Sequence, residues 1–243
     1  MLHRLRRHPF PVEAHFRRST VLTYAVPAAE LTARLPPPLA LDNYGDVGFV
    51  AVAMVDTHAL RPAGFPAFLG NDFFLIGYRI FVRYRDARGR NLRGLYILRS
   101  ETNKRKMEWL GSLFTRYRYG TIDVLQREEA GAYRVRSAAS DIDVTVVDGE
   151  AVLPEGSCFP DWKTARRFAG PLPFTFTYLE REDKVLWVEG RRTNWRPEPV
   201  TVREAKVGRL EKLGFGEARL VSAFKITDVP YRWRRGHVEN WPT

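Results

Sequence analysis

Apolar segments rich in β-branched and aromatic residues recur along the chain, and most are about 6 to 10 residues long. Turn-forming residues separate them, and the turns at 86–90, 129–132, 148–149 and 181–184 have the composition of hairpin connections. Hairpins join neighbouring antiparallel strands, so the pattern predicts an antiparallel β-sandwich or β-barrel. The clearest strand segments are 19–26, 47–55, 73–84, 92–100, 120–126, 132–140, 142–148, 174–180, 184–192 and 218–226.

Helical signals are few and short. One helix is predicted to begin at Pro27 and to stop before the prolines in 36–38, and another is predicted to begin at Asp161, a favourable capping residue. A third is predicted to begin near Asn103. Its apolar residues recur on one helical face, at Met107, Leu110 and Phe114.

No glycine- or serine-rich linker and no internal repeat divides the 243 residues. We therefore predict a loosely held basic N-terminal arm at 1–12 and one domain at 13–243, large enough to bury a substantial core without disulfides or metal. Tryptophan side chains are predicted to lie in that core or to line a cavity in it. These are Trp109, Trp162, Trp187 and Trp195.

The chain is strongly basic, with a net charge of +11 and a pI near 10.0. This charge raises the prospect of an anionic partner, which would be nucleic acid, a lipid surface or an acidic small molecule. Basic residues crowd at the N-terminus, between Arg79 and Arg93, and at 231–237, and each group is interpreted as solvent-facing. Because no motif of a nucleic-acid-binding module occurs, nucleic-acid binding is the weaker hypothesis.

Several other functions lack sequence support. The single cysteine, Cys158, and the absence of a signal-like N-terminus favour the cytosol, and the longest apolar run, 47–55, is too short to span a membrane. His15, His58 and His237 show no metal-ligand spacing. With no phosphate-binding loop, dinucleotide fingerprint or serine-hydrolase motif present, we predict neither a metal nor a cofactor.

Residues 15–57 resemble the opening of acetoacetate decarboxylase. In that family an arginine precedes a strand, a short helix leads to a Pro-x-Pro-Leu turn, and an apolar strand runs into Asp-Thr; here these are Arg17, 36–39 and 56–57. Segments 98–107 and 159–180 are similar to an uncharacterised bacterial group of the acetoacetate decarboxylase-like superfamily. The resemblance implies a mainly β fold, a large antiparallel barrel with a few short helices around a central cavity.

The same resemblance implies a candidate chemistry. In acetoacetate decarboxylase a lysine forms an imine with a β-keto acid, and that lysine falls on Lys106 here. Lysine suits this role because its amine can lose a proton in an apolar site beside other cations. Arg17 and Lys104 are then the candidate substrate-binding cations, and Glu101 is a candidate proton donor or an ordinary ion-pair partner.

Alternatives to catalysis remain open. The second lysine of the family pair is replaced by Met107, and an expected glutamate by Val50, which favours a binding protein that kept the cavity without the chemistry. Lys104 and Lys106 also fit a solvated basic helix start, and Arg17 fits a surface arginine. The sequence thus predicts a barrel that binds a small carbonyl or carboxylate compound, either as a Schiff-base decarboxylase or without catalysis.

Overall fold

The computed structural model describes residues 5–170 and 172–241, and strands dominate that part of the chain. The strands form an 11-stranded sheet and a 4-stranded sheet. In chain order they are β1 Val12–Pro27, β2 Ala40–Leu41, β3 Val47–Pro62, β4 Asn71–Arg85, β5 Asn91–Thr102, β6 Tyr119–Thr121, β7 Leu125–Glu129, β8 Ala132–Ser137, β9 Ile142–Val147, β10 Phe174–Leu179, β11 Lys184–Arg192, β12 Glu198–Pro199, β13 Thr201–Val207, β14 Arg219–Trp233 and β15 His237–Asn240.

The larger sheet curls into a barrel-like ring. Its strands pair in the order β14, β1, β3, β4, β5, β10 and β11, and β11 pairs back onto β14. All of these pairings are antiparallel except that between β5 and β10, which is parallel. The predicted mainly β, barrel-like architecture is confirmed, with one parallel pairing inside it.

Both faces of the central strands are buried. On β1, residues 19–26 are buried without a break, because one face points into the ring and the other packs under the smaller sheet. Inside the ring, Phe49, Phe81 and Phe168 fill one half, with the Phe49 and Phe168 ring centroids 4.3 Å apart. Outside it, residues such as Met54 pack against the smaller sheet, whose order is β13, β9, β8 and β7.

The helices are short, and three of them lie where the sequence predicts helices, whereas the helix Gly208–Lys212 was not predicted. Asp161 caps its helix by accepting a hydrogen bond from Thr164 N at 2.7 Å. The described α-helices are α1 Ala28–Thr32, α2 Arg105–Phe114, α3 Trp162–Ala165 and α4 Gly208–Lys212, with 3-10 turns at Ala67–Leu69, Arg166–Phe168 and Glu180–Glu182. None of the described helices is long and apolar enough to cross a membrane.

Two local expectations need correction. The turn at 148–149 does not join a hairpin, because β9 pairs with β8 and β13 and no strand follows it directly. The N-terminal arm packs on the ring in its described part. There His8 is buried. Its backbone N–H donates to Phe114 O at 3.1 Å, and its backbone carbonyl accepts from Gly236 N at 2.8 Å. Residues 1–4 lie outside the described residues.

Candidate ligand-binding site

The half of the ring that the phenylalanines leave open contains a cavity of about 270 Å³. Side chains from β1, β3, β4, β5 and β14 form its walls. Successive residues of a strand point to opposite faces, so alternate positions such as Ser19, Val55 and Leu75 face inward. Most of the lining is apolar, and this suits a small organic molecule held by a few polar groups.

Helix α2 covers the cavity with its apolar face. Met107, Leu110, Gly111 and Phe114 line the cavity, at the 3.6-residue spacing predicted from the sequence. Gly111 permits close packing, because a methyl group there would overlap the ring of Tyr119. The described end of the N-terminal arm completes this cover through contacts such as that between Phe10 and Phe114, whose centroids are 5.1 Å apart.

Arg79 places a guanidinium inside this cavity. It lies on β4 with Ala51 and Ile97 as its Cα partners on the neighbouring strands. Its Nε atom is buried without a hydrogen-bond partner, and it makes no ion pair with any residue in 5–170 or 172–241. Gly77, the preceding inward residue, leaves room for it, because a Cβ there would lie 2.7 Å from Arg79 Nε.

Burial lowers the pKa of Arg79, and the neighbouring phenols of Tyr231, Tyr119 and Tyr117 oppose that effect. Arginine nevertheless stays protonated at neutral pH. Burying a cation without a counter-ion costs several kcal/mol per ion in typical proteins. An anionic ligand would remove that cost, and this makes Arg79 the strongest polar feature of the site.

Three tyrosines share the cavity with Arg79. Burial raises the pKa of Tyr119 to about 12, with Arg79 opposing the rise. Burial also raises the pKa values of Tyr117 and Tyr231, so all three hydroxyls are neutral donors at physiological pH. A neutral phenol can donate a hydrogen bond to a carboxylate that Arg79 holds.

Two further polar residues of the lining are less available to a ligand. Arg61 is ion-paired with Glu13 at 2.8 Å and donates to Phe65 O at 2.7 Å, so its guanidinium holds the loop after β3. His8 is buried, and burial lowers its pKa from 6.5 to about 4. It is therefore a neutral part of the wall above that pH.

The predicted lysines lie outside this cavity. Lys104 and Lys106 are exposed at the start of α2, and neither belongs to the cavity lining, which contains no lysine among the described residues. The inward residue is Met107, which is buried. One residue along an α-helix is a rotation of about 100°, and this explains why Lys106 faces away from the interior.

Arg17 also lies on the exterior. Its side chain is 61% exposed and lies 3.5 Å from Asp56, with which it forms an ion pair. The structure therefore does not bring Arg17 and Lys106 together in a cavity. Their expected roles as a carboxylate clamp and a nucleophile remain predictions that this placement does not support.

Glu101 is buried on the opposite face of β5 from the cavity. Its neighbour Ser100 faces the cavity, and the strand alternation turns Glu101 toward the smaller sheet. Its carboxylate lies 2.9 Å from both Arg99 Nε and Arg209 Nη2, and it accepts from Tyr78 at 3.2 Å and from Ser140. This network supports the ion-pair alternative for Glu101.

The sequence contained a signal for Arg79 that its interpretation missed. The basic cluster between Arg79 and Arg93 is predicted to face solvent, whereas Arg79 follows Phe73, Leu75 and Gly77 at alternate, inward positions of β4. Among the tryptophans, Trp109 is 65% exposed, so the core prediction is wrong for it. Trp162 does pack against the core, on Phe224.

Comparison with known proteins identifies the family. The profile of DUF2071, described as an uncharacterized conserved protein, matches residues 13–238. The chain belongs to this family. No curated protein sequence matches it.

Solved structures show the same fold at low sequence identity. Acetoacetate decarboxylase from Legionella pneumophila superposes with a TM-score of 0.61 at 13% identity, over 94% of this chain and 87% of that one. An acetoacetate decarboxylase-like enzyme from Sphingomonas wittichii RW1 superposes with a TM-score of 0.62 at 11% identity, over 97% and 94%. The enduracididine biosynthesis enzyme MppR, complexed with pyruvate, gives 0.55 at 11% identity, over 95% and 90%. The DUF2071 chain thus has the acetoacetate decarboxylase-like fold.

Cationic and neutral groups make up the polar part of the cavity lining among the described residues. Within the described residues, no group of three or more His, Cys, Asp or Glu side chains is arranged to hold a metal ion. The cavity instead combines one unpaired cation with neutral hydroxyl groups and apolar walls.

Proposed function

We propose that this DUF2071 protein binds a small carboxylate-bearing compound in its barrel cavity and that Arg79 is the anion anchor. The main observation in support is that the guanidinium of Arg79 lies in a largely apolar cavity without an ion-pair partner among the described residues. A carboxylate can accept two parallel hydrogen bonds from a guanidinium. The low polarity of the walls strengthens that pairing.

The remaining lining supports the same proposal. Tyr117, Tyr119 and Tyr231 supply neutral donors beside Arg79, and the side chains of α2 supply an apolar surface for the rest of the ligand. A volume of about 270 Å³ suits a compact molecule. A fold relative that is complexed with pyruvate, a small keto acid, is consistent with this ligand class.

A calorimetric titration that measures the affinity for pyruvate tests the role of Arg79 as the anion anchor. We expect the Arg79→Met variant to bind pyruvate about 100-fold more weakly than the wild type, because it loses charge-assisted hydrogen bonds in a largely apolar site. Arg85→Met, at the exposed end of the same strand, is the matched control and should bind normally. Equal affinity of folded Arg79→Met and wild type would refute the proposal.

The competing hypothesis is an imine between a carbonyl ligand and Lys106. That mechanism needs the Lys106 amine in the cavity, whereas the side chain is exposed at the start of α2. We therefore expect borohydride treatment with pyruvate to leave no reduced adduct on Lys106 by mass spectrometry. An adduct that disappears in Lys106→Ala would establish the Schiff-base reaction instead.

A further inference from the structure

A second arginine without a carboxylate partner among the described residues lies next to the cavity. Arg192, at the end of β11, lines an open groove, and its Nε atom is buried without a hydrogen-bond partner. Its guanidinium carbon lies 4.3 Å from the centroid of the Trp195 ring, which holds it in a stacked position. Within 5–170 and 172–241 no carboxylate pairs with it.

The groove and the cavity share Tyr231 as a lining residue. This residue lines both spaces, as does Arg61, whereas Arg79 lines only the cavity and Arg192 only the groove. Arg192 and Tyr231 are direct cross-strand partners in the pairing of β11 with β14. Cross-strand partners project from the same face of a sheet, so Arg192 emerges on the face that also bounds the cavity.

Local packing holds this junction in place. Tyr231 stacks on Phe16 with centroids 4.9 Å apart, and a side chain at Gly190 would overlap the Tyr231 hydroxyl. Burial raises the pKa of the Tyr231 phenol, and the positive charges of Arg192 and Arg79 both oppose that rise. The phenol thus lies within electrostatic reach of both cations.

We propose that the ligand of this protein carries two anionic groups, one bound by Arg79 in the cavity and the other by Arg192 in the groove. The inference rests on the proposed function of Arg79 and deepens it. Each cation lacks a carboxylate partner within the described chain, and Tyr231 lines both the cavity and the groove. A dicarboxylate of suitable length satisfies both, whereas a monocarboxylate satisfies one.

A chain-length series tests this directly. The affinities of succinate, glutarate, adipate and pimelate are measured by calorimetry, each against the monocarboxylate with the same number of carbons. We expect at least one dicarboxylate to bind about 10-fold more tightly than its monocarboxylate, because a second charge-assisted contact forms. Equal affinities at every length would overturn the inference.

Two variants separate this inference from the proposed function. Arg192→Met should remove the dicarboxylate advantage, whereas Arg79→Met should weaken the binding of both classes of acid. Arg203→Met, exposed on β13 in the smaller sheet, is the control and should change neither. Thermal unfolding midpoints verify that each variant folds.

The outcomes are distinguishable. If the advantage persists in folded Arg192→Met, the second subsite is refuted while the cavity proposal stands. If neither class of acid binds the wild type, or if Arg79→Met binds both normally, the cavity proposal itself is refuted. A dicarboxylate should also change the fluorescence of Trp195, so a signal change that is lost in Trp195→Phe supports occupation of the groove.

Discussion

Glu101 and Arg79 are interior charges of this protein that lie in contrasting settings. Glu101, fully buried, meets Arg99, Arg209, Tyr78 and Ser140. Arg79, inside the ring, meets no carboxylate among the described residues. A charge that is fully paired within the chain stabilises the fold, whereas a charge left unpaired beside a cavity is available to a ligand.

Glu101 on β5 therefore has a structural role, and Arg79 on the neighbouring β4 has the proposed ligand-binding role. The Glu101 network joins the ring to the smaller sheet, because Ser140 precedes β9 and Arg209 belongs to α4 after β13. Arg79 has no such role. Removal of the Glu101 charge should therefore lower stability and leave ligand binding unchanged. Removal of the Arg79 charge should weaken ligand binding and leave stability nearly unchanged.

Loss of the Glu101 charge should have the largest effect on stability. We expect Glu101→Gln to lower the free energy of unfolding by about 3 to 5 kcal/mol, because Arg99 and Arg209 lose their counter-ion. Denaturant unfolding measures this change, and Glu129→Gln, at an exposed position in β7, is the control. Pyruvate affinity should stay at the wild-type value, and a selective loss of binding at normal stability would instead make Glu101 part of the ligand site.

The buried His8 should make the cavity cover sensitive to acid. Its pKa is lowered by burial from 6.5 to about 4, so the unfolded state binds the proton more readily between these values. Stability from the neutral side chain is complete above pH 6.5 and is lost as the pH falls through 4. The free energy of unfolding is then lower by about 3 kcal/mol at pH values below 4 than at pH values above 6.5.

The free energy of unfolding measured against pH tests this linkage. In His8→Phe the decline between pH 6.5 and 4 should be shallower than in the wild type, because the variant carries no titrating group there. His237→Phe, at an exposed position in β15, is the matched control. Parallel pH profiles for His8→Phe and wild type would show that His8 is not protected from protonation.

The smallest expected effect is that of Arg79→Met on stability. Because a partly buried cation without a carboxylate partner among the described residues is replaced by an apolar side chain of similar length, we expect the free energy of unfolding to stay constant or rise by about 1 kcal/mol. Arg99→Met should lower it instead, by about 2 kcal/mol, because Arg99 pairs with Glu101. Equal destabilisation by the two variants would remove the distinction between the paired and unpaired charges.

Much of the fold was predictable from local patterns. The strand segments, the short helices and the turns at 86–90, 129–132 and 181–184 all reflect residue preferences and spacings that act over a few positions. The apolar face of α2 was also predictable, since Met107, Leu110 and Phe114 follow the helical period. The false turn at 148–149 had suitable turn residues but no following strand to pair with β9.

The candidate site was much harder to predict. Lys106 and Met107 are adjacent in sequence, yet a rotation of about 100° separates their side chains on α2. Ser100 and Glu101 are adjacent on β5, yet strand alternation turns one to the cavity and the other to the smaller sheet. An error of one residue in a family resemblance therefore exchanges an interior position for an exterior one.

The sequence by itself determined a mainly β, barrel-like domain with a few short helices, because burial periodicity and turn chemistry are local properties. Only the tertiary structure decided which charges face the cavity. The pairing of β4 with its neighbours turns Arg79 inward, and the segments that flank β9 and β13 supply Glu101 with partners distant in sequence. Whether a buried charge is paired depends on such long-range contacts, and here that separates the proposed ligand anchor from a structural ion network.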